Sequence, residues 1–367
     1  MPNYLSAFSI EEFCPPRPNL RRPDLDAPLP KATAEREVPE DPRPRRDPYQ
    51  SDQDRIIQCN AFRRLAHKTQ VFLATSSDHF RSRLTHTLEV SRVARTLARG
   101  LNLNEDLAEA ISLGHDLGHT PFGHAGERAL NRYIPGGFHH QRHSVRIVTK
   151  LANDGLGLNL TKEVIDGIGK HSKGNGPIFA SRPDAPFTPE GQIVRASDII
   201  AYLAHDLDDA LESDLISPRD VPSAIKATLG RGAFDRVWVM VDDLLNNTTI
   251  IDGNVNFSFS PRITEAMSLL RTFLYNKVYQ NAHLVSQLNH ATGCICYIFM
   301  ALMESQELYE TMPRRHLADD RFQAICDFIA GMTDRYAMLF AQNIERGVPT
   351  SKLQEIDDDA VPFSFEF

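Results

Sequence analysis

The sequence of 367 residues lacks the long apolar run that a membrane-spanning helix needs. Such a helix takes roughly 18 or more consecutive apolar residues, and no stretch of this chain approaches that length. The first residues, MPNYLSAFSIEEFCPP, also lack the basic start and the apolar stretch of a secretory signal. We therefore expect a cytoplasmic protein without a membrane partner.

Cysteine is sparse, and the net charge has the wrong sign for a protein that coats nucleic acid. The five cysteines form no CxxC pair and no zinc-ligand spacing, which is typical of reduced thiols. Forty Lys and Arg residues against 48 Asp and Glu residues give a net charge of −8. Binding to duplex nucleic acid is therefore not indicated. The basic cluster RPRR at 43–46 leaves a local contact with phosphate open, although a solvated cluster is the simpler interpretation.

Alternating strand patterns are scarce, and helical periodicity dominates the chain from about residue 52 onward. The best short strand candidate is VNFSFS at 255–260. We predict an all-α, multi-helical fold with at most one short β-hairpin. The segments with the clearest helical pattern are LTHTLEVSRVARTLARG, NEDLAEAISLGH, TKEVIDGIGKHS, GQIVRASDIIAYLAHDLDDALES, ITEAMSLLRTFLYNKVYQNA and RFQAICDFIAGMTDRYAMLFAQNI.

The first 48 residues differ in composition from the rest of the chain. They hold 11 of the 23 prolines, mixed with charged residues. Proline blocks helix interiors, and so few apolar residues cannot bury a core. We expect a mostly disordered arm, with packing on a neighbouring subunit as the alternative.

Histidine is concentrated in one window. Nine of the 14 histidines lie between His67 and His143, where even spreading would put about three. Histidine is the commonest metal ligand in proteins and titrates near neutral pH. The chemistry of the chain is therefore expected in this window.

Four side chains form a candidate metal-binding set. His86, His115, Asp116 and Asp198 lie on three predicted helices. A single helical histidine is more often a core residue, and an Asp beside a His at a helix end can be a cap. A buried carboxylate, however, is costly unless it is paired or binds a metal. Two imidazoles and two carboxylates together suit Mn²⁺, Fe²⁺, Zn²⁺ or Mg²⁺.

The order H…HD…D and the sequence segments around it resemble the motifs of a known family. The segments FRRLAHKTQVF, RSRLTHTLEV, LGHDLGHTPFGHAGE, GGFHHQRHS and ASDIIAYLAHDLDDA are similar to the motifs of the bacterial deoxyguanosinetriphosphate triphosphohydrolase (dGTPase) family of HD-domain proteins. The resemblance is strong over about 49–209 and looser to about residue 345. Together with the composition, it predicts a Pro-rich arm (1–48), an HD core (49–210), a C-terminal helical region packed on the core (211–355) and an acidic tail (356–367).

The resemblance also implies a role for each matched residue. His86, His115, Asp116 and Asp198 would bind the metal. The catalytic residues would be His119, His124, Glu127 and His140, and the substrate contacts would be Gln70, Arg83, Tyr202 and Asp206. If a helix begins near Gly123, His124 and Glu127 share one face, so that the carboxylate can orient the imidazole.

Some of these assignments keep alternatives. The segment HTPFGH alone would fit a turn that leads into a helix with two surface histidines. Tyr202 could instead lie in the core, and Asp206 on a solvated helix face. After GGF the family usually shows His-Asn, whereas here Gln141 follows His140, and His143 stands where Gln is common.

The implied reaction is metal-dependent hydrolysis of a deoxynucleoside triphosphate, dGTP or several dNTPs, to deoxynucleoside and tripolyphosphate. Mg²⁺ or Mn²⁺ is the expected cofactor, with Fe²⁺ or Zn²⁺ as alternatives. The resemblance further implies a homo-oligomer, hexamer or tetramer, and a dNTP effector. The alternatives are another HD nucleotide phosphohydrolase, or a nucleotide-sensing or DNA-binding regulator on the same scaffold.

Overall fold

The computed structural model describes residues 33–41, 46–72, 80–134, 136–172, 178–179, 185–251 and 254–348. The expectations for the first 32 residues of the arm, for most of the RPRR cluster and for the acidic tail lie outside these ranges. Among the described residues, no helix has both the length and the apolar character to cross a membrane.

Among the described residues the named elements of secondary structure are helices and one two-stranded hairpin, which confirms the predicted all-α fold class. In chain order the helices are α1 (Pro48–Gln58), α2 (Asn60–Arg64), α3 (Arg83–Gly100), α4 (Glu105–Gly114), α5 (His124–Leu130), α6 (His140–Arg146), α7 (Lys162–Lys170), α8 (Pro189–Glu212), α9 (Ser223–Leu229), α10 (Ala233–Asn247), α11 (Pro261–Leu274), α12 (Ala282–Glu304), α13 (Gln306–Thr311), α14 (Arg321–Ala330) and α15 (Asp334–Glu345). The antiparallel hairpin joins β1 (Thr249–Ile251) to β2 (Asn254–Asn256).

Short helical pieces of other kinds continue or separate the α-helices. Leu65–His67, Asn153–Gly155 and Arg315–Leu317 are 3₁₀ turns. Ile147–Leu151 and Tyr275–Tyr279 have the wider π-helical winding and follow α6 and α11 directly.

The main core is built around α3, which packs against α4 and α8. Val90, Ala94 and Leu97 repeat at helical spacing on its buried face. Sequence signals set the ends of these helices as predicted. The helix α3 ends at Gly100, and the side chain of Asn104 caps α4 by accepting from the Leu107 backbone N–H.

A second core joins the C-terminal helices to the histidine-rich segment. Ile295 and Phe299 of α12 lie in one buried cluster with Ile325 of α14, Phe340 of α15 and Ala129 of α5. The C-terminal helices therefore support the segment that carries His124 and Glu127.

Two predicted elements differ in the structure. The stretch RFQAICDFIAGMTDRYAMLFAQNI, predicted as one helix, is divided into α14 and α15. The hydroxyl of Thr333 accepts from the backbone N–H of Tyr336 and starts a new helix, because a local cap competes with helix continuation. In VNFSFS, only the first two residues belong to β2, which ends at Asn256.

Residues 33–41 lie against the HD core. The carboxylate of Glu163 accepts hydrogen bonds from the backbone N–H groups of Thr33 (2.8 Å) and Ala34 (3.0 Å). Arg36 forms an ion pair with the buried Asp52. This part of the Pro-rich segment therefore packs along α1 and the start of α7.

Candidate active site and metal centre

Three helices bring the four predicted metal ligands together. His86 lies in the first turns of α3, His115 and Asp116 directly follow α4, and Asp198 lies in the middle of α8. The Nε2 atom of His86 is 3.1 Å from Oδ1 of Asp198 and 3.9 Å from Oδ2 of Asp116. The Nε2 atom of His115 is 3.4 Å from Oδ1 of Asp116.

The hydrogen bonds of His115 leave one ring nitrogen free for a cation. Its Nδ1–H donates to the backbone carbonyl of Ser112 at 2.6 Å, so the lone pair is on Nε2. That buried Nε2 atom has no hydrogen-bond partner. It faces Asp116, which leaves two electron-rich groups side by side. The residues present therefore fit a divalent cation of the kind that binds mixed nitrogen and oxygen ligands.

Both carboxylates of this set are ionised at neutral pH. Burial by itself would raise the pKa of Asp198, but its hydrogen bond with His86 lowers the pKa to about 2. Burial also opposes ionisation of Asp116, yet its surroundings, with the guanidinium of Arg83 2.8 Å away, hold its pKa well below the usual range. Two carboxylates in one buried site can balance the charge of a divalent ion.

A chain of buried polar groups behind His86 fixes its orientation. Nδ1 of His86 lies 2.8 Å from Nε2 of His205. Nδ1 of His205 in turn lies 2.8 Å from Oδ1 of Asp206, whose other oxygen accepts from the hydroxyl of Tyr279. Through this contact the His205 ring holds the His86 ring so that Nε2 of His86 faces Asp198. The sequence analysis did not single out His205 or Tyr279.

A tight turn carries the second group of side chains. Its backbone has positive φ at Phe122 (59°) and Gly123 (54°), and α5 begins at His124, as the sequence predicted. The Nδ1 atom of His124 lies 2.9 Å from Oε2 of Glu127. Glu127 also contacts His140, through the backbone N–H at 3.0 Å and through Nδ1 at 3.2 Å. One carboxylate therefore orients two imidazoles.

His119 connects the metal-ligand candidates to the group formed by His124, Glu127 and His140. The ring of His119 stacks on that of His140 with a centroid distance of 3.9 Å, and its Nε2 atom lies 3.2 Å from Oδ1 of Asp116. His124 is mostly exposed, with 63% of its side chain accessible, whereas His119 and His140 are buried. The arrangement places one solvent-accessible imidazole beside the four metal-ligand candidates.

The predicted substrate contacts occupy different surroundings. Arg83 is buried and donates from Nη1 to Asp116 at 2.8 Å, and its Nη2 donates to the backbone carbonyl of Gln70 at 3.4 Å. The buried side-chain oxygen of Gln70 has no hydrogen-bond partner. Tyr202 is half-buried, and burial raises its pKa to about 12. Asp206 is buried rather than solvated, because it packs between His205 and Tyr279.

Three further residues of this region carried no clear signal in the sequence. The ammonium group of the buried Lys68 donates to the carbonyls of His119 and Ala330. Asp334 accepts from the backbone N–H of Phe122. His171, directly after α7, lies with its Nε2 atom 3.2 Å from Nε2 of His140. All three come from segments distant in sequence from the HD pair.

Comparison with known proteins agrees with this architecture. A model of the HD domain matches residues 83–203, and a model of the phosphohydrolase-associated domain matches residues 257–343. The first match contains all four metal-ligand candidates, and the second covers most of the helices that support α5.

Close relatives extend the similarity over most of the chain. A deoxyguanosinetriphosphate triphosphohydrolase-like protein of Desulfatibacillum aliphaticivorans is 46% identical over 320 residues, which cover 84% of this chain and 90% of the relative. One of Caldanaerobacter subterraneus subsp. tengcongensis is 47% identical over 298 residues, covering 80% and 84%. A deoxyguanosinetriphosphate triphosphohydrolase-like protein 1 of Deinococcus radiodurans is 38% identical over 347 residues, covering 83% and 91%. Identity at this level over most of both chains shows that this chain belongs to the deoxyguanosinetriphosphate triphosphohydrolase-like family of HD-domain proteins.

Proposed function

We propose that this protein hydrolyses deoxynucleoside triphosphates to deoxynucleoside and tripolyphosphate. The observation that carries the proposal is the position of the His124–Glu127 pair beside the set of His86, His115, Asp116 and Asp198. The names of the relatives point to the same substrate class.

The metal would be held by His86, His115, Asp116 and Asp198. When bound, it would supply a positive charge that polarises a phosphoryl oxygen. The residues around it support the charge of such an ion, because Asp116 and Asp198 are both ionised at neutral pH.

His124 would protonate the leaving group. In this hydrolysis the oxygen of water bonds to the α-phosphorus, the bond from that phosphorus to the 5′-oxygen breaks, and the 5′-oxygen takes a proton. Glu127 holds the Nδ1–H of His124, so the imidazolium form of His124 can give that proton from Nε2 and return to the neutral ring. The exposure of the His124 side chain allows a ligand as large as a nucleotide to reach it.

Positive and hydrogen-bonding groups near the site would receive the triphosphate and the sugar. The guanidinium of Arg83 lies at the HD pair, and Gln70 offers a buried oxygen without a partner. Tyr202 and Asp206 follow Asp198 by four and eight residues on α8, so they share one helix face with a metal ligand. Homo-oligomer assembly and activation by a dNTP effector also belong to this proposal.

The test is incubation of the metal-loaded full chain with each dNTP, alone and in mixtures, followed by separation of the phosphate products. We expect tripolyphosphate and deoxynucleoside in equal amounts, and loss of both products in the His124→Ala variant. Hydrolysis that appears only in mixtures would identify an effector. Orthophosphate with a dNDP, or pyrophosphate with a dNMP, would overturn the proposal in favour of another phosphohydrolase.

A further inference from the structure

The ammonium group of Lys68 joins the histidine-rich turn to the C-terminal helices. It donates to the carbonyl of His119 and, at 2.7 Å, to the carbonyl of Ala330. These two partners follow Lys68 by 51 and 262 residues in the sequence, and only 2% of Lys68 is exposed. Burial of a lysine is costly because its ammonium group loses hydration. The two carbonyls replace part of that hydration, so that the side chain is held in one position.

The carbonyl of His119 accepts from Lys68 because the next backbone donors are missing or used elsewhere. Pro121 has no N–H group, and the N–H of Phe122 donates to the carboxylate at the start of α15. The N–H of Gly123, which a regular helix would direct to His119, instead donates to the carbonyl of the residue after His119, at 3.2 Å. A buried carbonyl without a donor is costly. Lys68 therefore satisfies a group that the turn itself leaves open.

The second partner of Lys68 lies at the end of α14. Ala330 is the last residue of this helix, where backbone carbonyls lack intrahelical donors and the helix dipole is negative. A positive charge is favourable at such an end. The carboxylate of Asp334, at the start of α15, adds a further negative charge near Lys68. Lys68 therefore caps α14 and fastens its end to the backbone of His119.

The backbone position of His119 sets the position of two imidazoles. Its own ring stacks on that of His140 at a centroid distance of 3.9 Å, and its Nε2 atom lies 3.2 Å from Oδ1 of Asp116. The turn that leads to α5 begins at the same residue, and His124 is the first residue of α5. A shift of the His119 carbonyl would therefore move both rings relative to the metal-ligand candidates.

We propose that Lys68 is a positioning residue, whose ammonium group fixes the backbone of His119 against the end of α14 and thereby aligns His119 and His124 for catalysis. Lys68 acts through His119 and does not touch the substrate. The structural part of this inference is independent of the reaction, and the part that concerns turnover rests on the proposed dNTP hydrolysis.

A cavity of about 620 Å³ adjoins Lys68 and allows the proposal to be tested with small amines. None of the metal-ligand candidates or proposed catalytic residues lines it. Its lining extends from Lys68 to Asp154 and Arg314, whose side chains are 85% and 42% exposed, so that small solutes can enter it from the solvent. Truncation in Lys68→Ala would add the space of the lost side chain to this cavity.

Hydrogen–deuterium exchange of the full chain tests the structural part without a nucleotide. The comparison is made at about pH 6, because burial lowers the pKa of Lys68 to about 7 and the side chain is charged below that value. Lys68→Met keeps the length of the side chain but not its donors. We expect backbone amides of segments 117–127 and 326–334 to exchange about 2- to 10-fold faster in this variant. The amides of α10 should be unchanged.

The matched control for the exchange measurement is Lys226→Met. Lys226 also donates to a backbone carbonyl, that of Pro218 at 3.0 Å, but it lies in α9, which contains none of the candidate site residues. Exchange in this control should match the wild type throughout.

Steady-state kinetics with a dNTP, at the same pH, test the part that concerns turnover. Lys68→Ala should lower kcat by about 10²-fold, the cost of a small misplacement of catalytic groups. KM and bound metal should change little, because the proposed substrate contacts and the metal-ligand candidates are retained. Addition of n-propylammonium, which replaces the missing atoms of the side chain, should restore part of kcat. The similar-sized n-propanol carries no charge and a single donor, and should restore none.

Equal exchange in Lys68→Met and the wild type would overturn the proposal. Faster exchange throughout the molecule would overturn it too, because Lys68 would then only stabilise the fold. An unchanged kcat in Lys68→Ala, or a restoration that n-propanol matches, would remove the role in turnover. If Lys68→Ala does not fold, kcat and KM are compared in Lys68→Met. If the wild type hydrolyses no dNTP while exchange in the turn still depends on Lys68, the proposed function fails and the anchoring of His119 stands.

Discussion

The carboxylate of Asp334 accepts a hydrogen bond of 2.7 Å from the backbone N–H of Phe122, across 212 residues of sequence. Its other oxygen accepts from the backbone N–H of Thr69 at 2.9 Å and from the hydroxyl of the same residue. Phe122 has a positive φ, which is unfavourable for a bulky residue. The C-terminal region therefore holds the turn from which α5 and His124 project.

Asp334→Asn should weaken both the fold and the proposed activity. A side-chain amide can accept at only one of the two places where the carboxylate accepts, so a buried donor is left unpaired. We expect the free energy of unfolding to fall by about 1–3 kcal/mol, and kcat to fall because the turn before His124 is released. Urea unfolding and steady-state kinetics measure the two effects. Glu345→Gln removes the same charge from the exposed end of the same helix and should match the wild type. Equal stability of Asp334→Asn and wild type would show that this anchor is unimportant.

Periodicity and capping residues predicted the helices that carry the metal-ligand candidates. The helices α3 and α8 have regular apolar faces, and Asn104 marks the start of α4. The division between α14 and α15 was not predicted. The apolar period continues across Gly331, whereas the structure starts a new helix at the local cap of Thr333. Asp334, the next residue, has its partner Phe122 far away in sequence, which one segment of sequence does not reveal.

Contacts between residues distant in sequence also limited the prediction of the candidate site. The HD motif identifies ligands that are close in sequence, and a single histidine after α7 carries no local signal of its own. His171 and His205 become informative only when folding brings them to His140 and His86. The buried position of Lys68 could not be predicted from the sequence either, because its hydrogen-bond partners are backbone carbonyls of distant residues.

Asp116→Asn should lose the metal while keeping the fold. The amide retains the size of the carboxylate and an oxygen that can accept from Arg83, but it removes the negative charge that would balance the bound ion. We expect no bound ion after dialysis and no hydrolysis, with unchanged helical circular dichroism. Asp106→Asn is the matched control, since it removes a carboxylate from the first turn of the helix that precedes Asp116. Full metal occupancy in Asp116→Asn would contradict the assignment of this ligand.

Acid should destabilise the protein in part through His143. Burial lowers the pKa of His143 from 6.5 to about 4. Between these values the unfolded chain binds a proton that the folded chain does not, so stability is lost as the pH falls below 6.5. At 1.36 kcal/mol per pH unit, the loss between pH 6.5 and pH 5 is about 2 kcal/mol.

The variant His143→Gln isolates this contribution. Chemical denaturation of both proteins at about pH 7.5 and about pH 5 should give a pH-dependent loss that is smaller in the variant by about 2 kcal/mol. The other buried histidines titrate in both proteins and cancel in the comparison. His143 suits the test because it faces Asp327 rather than the metal ligands. Parallel losses in the two proteins would show that His143 is protonated in the folded state.

His124→Ala should retain the metal and lose turnover. The four metal-ligand candidates are untouched, and removal of a positioned general acid usually lowers kcat by about 10²–10⁴-fold. Glu127→Ala should lose at least as much, because Glu127 contacts both His124 and His140 and its removal releases both imidazoles. The double variant should be no worse than Glu127→Ala, since residues that act as one unit give effects that do not add. The measurement is kcat at saturating dNTP for the wild type, both single variants and the double variant, with the exposed His283→Ala as a control. If the losses multiply in the double variant, Glu127 acts independently of His124, and the assignment of Glu127 as the residue that orients the acid must be withdrawn.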